Sequence, residues 1–385
     1  MLKKNKSVVI LENFFKNNIS KSIFLLNQLK KSEKNDFINY ISKSRIENFI
    51  TSKLKEHGIE LNDDFIEKEL QIMSSKRAIR TAENIRFAKI LSIELKKQNI
   101  HHFFLKGFAI QKFIYNDFSI RPLTDFDIFI NLEDVKKTIR ILKELNFNTS
   151  KWDNLKDKNF ILYKNPNLAH NVAPAVIDIH TSIFKDKATN ELFLEDCFSY
   201  VKKNDAEEPI YSLESLFIHL LYHGTSHSSY NVGPQFIMDL MYIINTNELC
   251  WDSLSSKISK YHLDKEFNEI NIYIKLFFGK SLIKNDNNLK AKIAYSDMSE
   301  ILLSPPANSS LFLAYKEKGF GSKVRIIYDK FFKKEEILLH NNEKLTFFII
   351  LKNFYRKVTK NFFALFEKNS SLKASKNRYK ILKKD

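Results

Sequence analysis

Between Phe103 and Ile130 the chain reads FFLKGFAIQKFIYNDFSIRPLTDFDIFI, and the residues that close this stretch constrain the fold most. Thr124-Asp125-Phe126-Asp127-Ile128-Phe129-Ile130 begins with polar and apolar residues in alternation. In a β-strand, successive side chains point to opposite faces. Asp125 and Asp127 are therefore expected on one face, and Phe126, Ile128 and Ile130 on the other, against a core. Phe103-Phe104-Leu105 is an apolar run of the kind that makes a buried strand. Lys106-Gly107 follows, where strand gives way to helix, and Gly107 would let the backbone turn sharply or approach a ligand closely. The helical pattern then runs from Phe108 to Tyr115.

Two carboxylates side by side repel each other, and ionising both is costly unless positive charge lies between them. A hard divalent cation with oxygen ligands, such as Mg²⁺, is the simplest occupant. Holding two metals takes a third carboxylate. Ala175 to His180 reads as a strand that supplies one, with Asp178 and His180 on a common face. His180 would orient a carboxylate or touch substrate. Lys106 and Arg121 are the candidate phosphate binders, the first as a point charge and the second as a planar fork. Arg121 precedes Pro122, so it sits on extended backbone just ahead of the aspartate strand.

Leu105-Lys106-Gly107, then Arg121, then Asp125 and Asp127, then Ile177-Asp178-Ile179-His180 resemble the polymerase-beta-type nucleotidyltransferase superfamily. The closer likeness is to the bacterial group of uncharacterised nucleotidyltransferases. Its further features, a helix with spaced histidines and a later aspartate, have counterparts in His219, His223 and Asp239. The resemblance spans roughly residues 75 to 320. It implies an α/β (α+β) fold: a polymerase-beta-like core with a small mixed sheet, flanked by N- and C-terminal helical regions. It implies transfer of a nucleoside monophosphate from a nucleoside triphosphate, ATP foremost, to an acceptor hydroxyl, with release of pyrophosphate. Asp125 and Asp127 would bridge Mg²⁺ (or Mn²⁺) ions, and Asp178 would hold the metal on the nucleophile side. Lys106, Gly107, Arg121 and His180 would contact the nucleotide. Many superfamily members carry Gly-Ser at the turn. Gly107-Phe108 stands there in this chain, which moves that phosphate contact to backbone NH groups, Lys106 or Arg121.

The chain then divides into an N-terminal helical region (1–74), a catalytic core (75–205), a helical domain (206–310) and a basic C-terminal extension and tail (311–385). In the first region Asn62-Asp63-Asp64 offers a cap ahead of Phe65, and no residue there points to chemistry. Residues 75 to 98 read as one amphipathic helix whose polar side holds Lys76, Arg77, Arg80 and Arg86. That side is expected to be solvated, unless one arginine reaches a triphosphate. His101 and His102 fall in the following loop. Phe160 to Tyr163 reads as a strand before a turn at Lys164-Asn165-Pro166-Asn167. Ser212 resembles a helix cap, with the helix stopping at Gly224. His219 and His223 have the spacing of some zinc sites, yet no Glu stands where an HExxH motif needs one, so a hydrogen-bonding role is expected.

From Lys344 the sequence reads as a basic amphipathic helix followed by a basic tail. The helix is expected either to pack on the protein with the tail solvated or, in a chain of net charge +17, to meet an anionic membrane surface or RNA. The abundance of Lys, Asn, Ile and Phe expected of AT-rich coding accounts for the same total equally well. Seven Gly and seven Pro in 385 residues leave room for few turns and many helices. Cys197 and Cys250 make no disulfide framework or zinc motif and fit a reducing compartment. No signal peptide and no bilayer-length apolar run is visible, so the expected location is the cytoplasm, peripheral to the inner membrane if the basic helix docks there. P-loop, GxGxxG and Gly-x-Ser-x-Gly patterns are missing. An RNA- or tRNA-directed transferase and a non-catalytic membrane-surface protein remain the alternatives.

Overall fold

The computed structural model describes residues 5–61, 63–115, 120–153, 167–204, 206–228, 230, 232–246, 248–278 and 301–306. The strand expected at Phe160 to Tyr163 and the basic helix and tail from Lys344 lie outside the described residues.

The core is a mixed α/β unit around a four-stranded sheet with the order β1-β2-β4-β3. These strands are β1 (His102–Leu105), β2 (Phe126–Ile130), β3 (Leu168–Ala169) and β4 (Val176–His180). β1 runs antiparallel to β2, β2 parallel to β4, and β3 antiparallel to β4. Period-two alternation gives the sheet two different faces. Phe104, Phe126, Ile128, Ile130, Ile177 and Ile179 share one core with α5 (Asp64–Lys97) and α7 (Val135–Glu144). Phe103, Leu105 and Phe129 share the other, with α6 (Lys106–Phe113), α10 (Leu213–Tyr222) and α11 (Pro234–Asn245). Phe103 and Phe129 are opposite one another in register, and their rings stack at 5.0 Å. Burying each such side chain stabilises the fold by about 1.5–3 kcal/mol.

The N-terminal helices α1 (Lys6–Phe15), α2 (Ile19–Asn27), α3 (Lys31–Ser44) and α4 (Glu47–Glu56) contribute to that second core. Tyr40 on α3 also donates a 2.8 Å hydrogen bond to the Leu303 carbonyl, far along the chain. The boundary expected at residue 74 lies inside α5, which runs 34 residues, about 50 Å at 1.5 Å per residue. Its start is set by Asp63, whose Oδ1 accepts from the Ile66 NH at 3.1 Å. The helix is therefore longer than its apolar periodicity indicates, because the cap lies about four turns ahead of Ala78.

Polar residues on the buried side of α5 hold the starts of the two central strands. Asn84 Nδ2 donates to the Leu123 carbonyl and its Oδ1 accepts from the Val176 NH, each at 2.9 Å. Thr81 Oγ1 accepts from the Leu123 NH at 2.9 Å. One helix thereby places both the segment leading into β2 and the start of β4. Among the described residues no helix is long and apolar enough to cross a membrane.

Three local expectations change. His102 opens β1 and is buried, with its ring between Ser92 Oγ at 3.0 Å and the Ile100 carbonyl at 2.9 Å; burial pushes its pKa down to about 4. α10 does not stop at Gly224. Ser212 caps it through the Ser215 NH, and the chain continues through a turn of π-helix, His223–His227. Gly224 serves close packing: a Cβ there would lie 2.4 Å from the Phe236 ring. At the β1–α6 junction the left-handed residue is Lys106, at φ 40°, and Gly107 again serves close approach.

Candidate active site

The register of β2 against β4 sets Asp127 opposite Asp178, and that of β1 against β2 sets Leu105 opposite Asp127. Lys106, the next residue, brings its Nζ to 3.1 Å from Asp127 Oδ1. His180, two residues along β4, donates from Nε2 to the same oxygen at 2.7 Å and lies 3.9 Å from Asp178 Oδ2. One carboxylate thus collects two donors while its neighbour has few. Burial alone would raise the Asp127 carboxyl, but the Lys106 ammonium and His180 outweigh it and hold that group well below the ordinary carboxylate range. Burial pushes the Asp178 carboxyl up to about 6, with the charges of Asp127 and Asp125 adding to it against His180 and Lys106.

Asp127, Asp178 and His180 each offer a ligand atom, and these atoms lie within 4.8 Å of one another. Two carboxylates and an imidazole converging in a partly buried position fit a divalent cation. Carboxylate donors suit Mg²⁺ and Mn²⁺, and Mn²⁺ also accepts imidazole nitrogen. Asp125 does not join that group. It precedes β2 and accepts from Thr124 Oγ1 at 3.1 Å. Burial and the Asp127 charge push its carboxyl up, and Arg45 opposes them.

Behind Lys106 a hydrogen-bond relay runs into the core. The Lys106 NH donates to the Tyr211 hydroxyl at 2.9 Å, and that hydroxyl lies 3.0 Å from His219 Nδ1. The hydroxyl has one proton to give and two lone pairs, so it can take the Lys106 NH and still bond His219 Nδ1. Burial, reinforced by Lys106 and His223, lowers the His219 pKa well below its usual value. The relay fixes the left-handed backbone of Lys106, a conformation that costs about 1–3 kcal/mol for a residue with a Cβ.

Arg121, expected among the nucleotide contacts, is paired with an aspartate inside the fold. Its fork is bound by Asp239 on α11, Nε to Oδ1 at 2.7 Å and Nη2 to Oδ2 at 2.9 Å, with both residues buried. Despite burial, Asp239 holds the guanidinium pKa above its usual value, so it stays charged. Gln111 on α6 donates to the Arg121 carbonyl. A Cβ at Gly107 would lie 2.7 Å from Arg121 Nη1 and 2.8 Å from Leu123 Cδ2. Any larger residue would push Arg121 or Leu123 aside, so glycine lets the α6 turn lie against them. Removing either partner of the buried pair of Arg121 and Asp239 would leave an uncompensated charge, so the two residues hold each other in place. Asp239, matched in sequence by resemblance alone, is the counterion of Arg121.

Sequence reasoning missed Tyr211 and Arg45. Tyr211 precedes a helix cap and carries no motif. Arg45 lies in the region expected to be without chemistry, yet its Nη1 donates to Thr124 Oγ1 at 3.0 Å, beside Asp125. The polar side of α5 is not uniformly solvated either: Arg77 Nε reaches the fully buried Glu47 at 2.7 Å.

A family model described as uncharacterised nucleotidyltransferase matches residues 30–279 of the 385. That span begins at α3, well ahead of the residue 75 expected, so the N-terminal helices from α3 onward fall within the family unit. No curated protein and no solved structure matches the chain.

Proposed function

The chain belongs to the uncharacterised nucleotidyltransferase family, transferases of nucleotidyl groups, and from that premise we propose that it moves a nucleoside monophosphate from a nucleoside triphosphate, ATP foremost, to a hydroxyl of an acceptor. The acceptor is a small molecule, a sugar, a peptide or a protein. The observation that carries this reading is the pairing of Asp127 with Asp178 across parallel strands, with His180 within reach of both. Asp127 and Asp178, with His180, would hold Mg²⁺ or Mn²⁺, which when bound lowers the pKa of an attacking hydroxyl and offsets phosphate charge.

The chain's own groups do the rest. The acceptor oxygen forms a bond to the α-phosphorus, the bond from that phosphorus to the bridging oxygen breaks, and pyrophosphate leaves with the electron pair. The hydroxyl proton passes to an Asp178 carboxylate oxygen. Lys106 supplies a point charge to the phosphates from its place beside Asp127. Gly107 and His180 complete the nucleotide contacts. Asp125, ahead of β2, adds a third carboxylate near Asp127. Arg121, sealed against Asp239, positions the backbone that leads to Asp125.

The test is a titration of ATP, GTP, CTP and UTP, each with and without Mg²⁺, into wild type and Asp127→Asn. One nucleotide should bind only with Mg²⁺ and fail to bind the variant. A folded wild type that binds none of the four overturns the reading.

A further inference from the structure

The carboxylates have an inverse counterpart next to them. A cleft of about 560 Å³ lies between the end of α3, the middle of α5 and the start of α11. Its wall carries Lys43, Arg45, Arg77 and Arg80, with Thr124 and Asp125 on the side of the candidate active site. Four cationic side chains thus meet one carboxylate across a single cavity. Arg77 is already committed, Nε to Glu47 at 2.7 Å and Nη2 to the Ser42 carbonyl at 3.2 Å. Arg45 and Arg80 are not matched in the same way. Arg45 gives one hydrogen bond to the neutral Thr124 hydroxyl. Burial lowers its pKa; Asp125 works against this, and the charges of Arg77, Arg80 and Arg121 add to it. Arg80 Nε is buried and has no hydrogen-bond partner among the described residues.

Arg45 is exposed and Arg80 half-buried, so like charges line an open cleft where they repel one another, and the buried Arg80 Nε adds the cost of a donor without an acceptor. The N-terminus of α11 points the same way. Gly233 is its N-cap at φ 79°, no side chain caps the first turn, and Gln235 of that turn lines the cleft. Helix N-termini carry partial positive charge. Guanidinium forks match phosphoryl oxygens in geometry and charge.

We infer that this cleft binds a phosphoryl group of one of the enzyme's substrates, with Arg45 and Arg80 as its ligands. The inference rests on the nucleotidyl-transfer reading and extends it: the substrate carries a polyanionic end that lodges beside Asp125. Two sources have this chemistry, the β- and γ-phosphates of the nucleotide and a phosphate ester on the acceptor.

The test uses calorimetric titration of the full chain with inorganic tripolyphosphate, inorganic phosphate, ATP and AMP, in wild type, Arg45→Gln and Arg80→Gln. Each substitution removes a charged hydrogen bond, so tripolyphosphate binding should weaken by about 10- to 100-fold. If the nucleotide tail fills the cleft, ATP weakens in parallel while AMP does not. If an acceptor phosphate fills it, inorganic phosphate weakens while ATP affinity stands. Arg45→Lys keeps the charge and should restore part of the affinity, which a purely structural role for Arg45 would not do. Variants that melt like wild type and bind both inorganic anions equally well overturn the inference, as does a wild type that binds neither. Failure of the nucleotidyl-transfer reading shows separately, as Mg²⁺-dependent ATP binding that survives Asp127→Asn.

Discussion

Two cation–carboxylate pairs lie on either side of Gly107. In one, Arg121 and Asp239 meet through two hydrogen bonds, both residues buried. In the other, Lys106 reaches Asp127 through a single contact, with His180 on the same oxygen and Asp178 alongside. In sequence the two cations are equivalent candidates for phosphate. Burial separates them. The first pair is a buried two-point ion pair and serves as a lock. The second is one contact among several, and under the proposed function it would give way to a metal ion or a phosphate.

The comparison breaks most directly at Asp239. Asp239→Ala leaves the Arg121 guanidinium buried without its counterion and should cost about 3–5 kcal/mol of stability in denaturant unfolding. Loss of less than 1 kcal/mol would mean the pair is no lock. Asp127→Asn should act the other way round. It should melt within a few degrees of wild type yet lose about 100-fold or more in turnover once an acceptor is found, since the site no longer offsets phosphate charge. An active Asp127→Asn would remove the functional half of the contrast.

Gly107→Ala probes the seam between the pairs. Its Cβ meets Arg121 Nη1 and Leu123 Cδ2 below 3 Å, so the pair must shift, at about 1–3 kcal/mol by thermal or chemical denaturation. The smallest effect sharpens the distinction. Arg121→Lys gives up one arm of the fork and should cost about 1 kcal/mol. Lys106→Arg, at a partly exposed contact, should stay within about 0.5 kcal/mol. Equal costs at the two positions would erase the difference in kind.

Much of the sheet was legible because period-two alternation is local. The Phe126, Ile128 and Ile130 face and the strand holding Asp178 follow from side-chain order alone. The resemblance marked the same residues and added Asp239 without a role. What the sequence withheld is the pairing of residues distant along the chain. Nothing local distinguishes an arginine that will find Asp239, 118 residues away, from one that reaches solvent. Arg45 was invisible for the same reason: its only local signal is a left-handed helix end at φ 58°, and its meaning comes from Thr124 across the fold. Asp125 was assigned to the strand because the alternation begins there, but backbone pairing starts one residue later.

The Asn84 amide has a consequence for the order of folding. Its two hydrogen bonds reach 39 and 92 residues along the chain, to Leu123 and Val176. Contacts so far apart in sequence form slowly, because the intervening chain must first be brought together. A single side chain therefore ties the approach to Asp127 and the start of the strand holding Asp178 to the same point of α5, and losing the Asn84 amide would loosen both together.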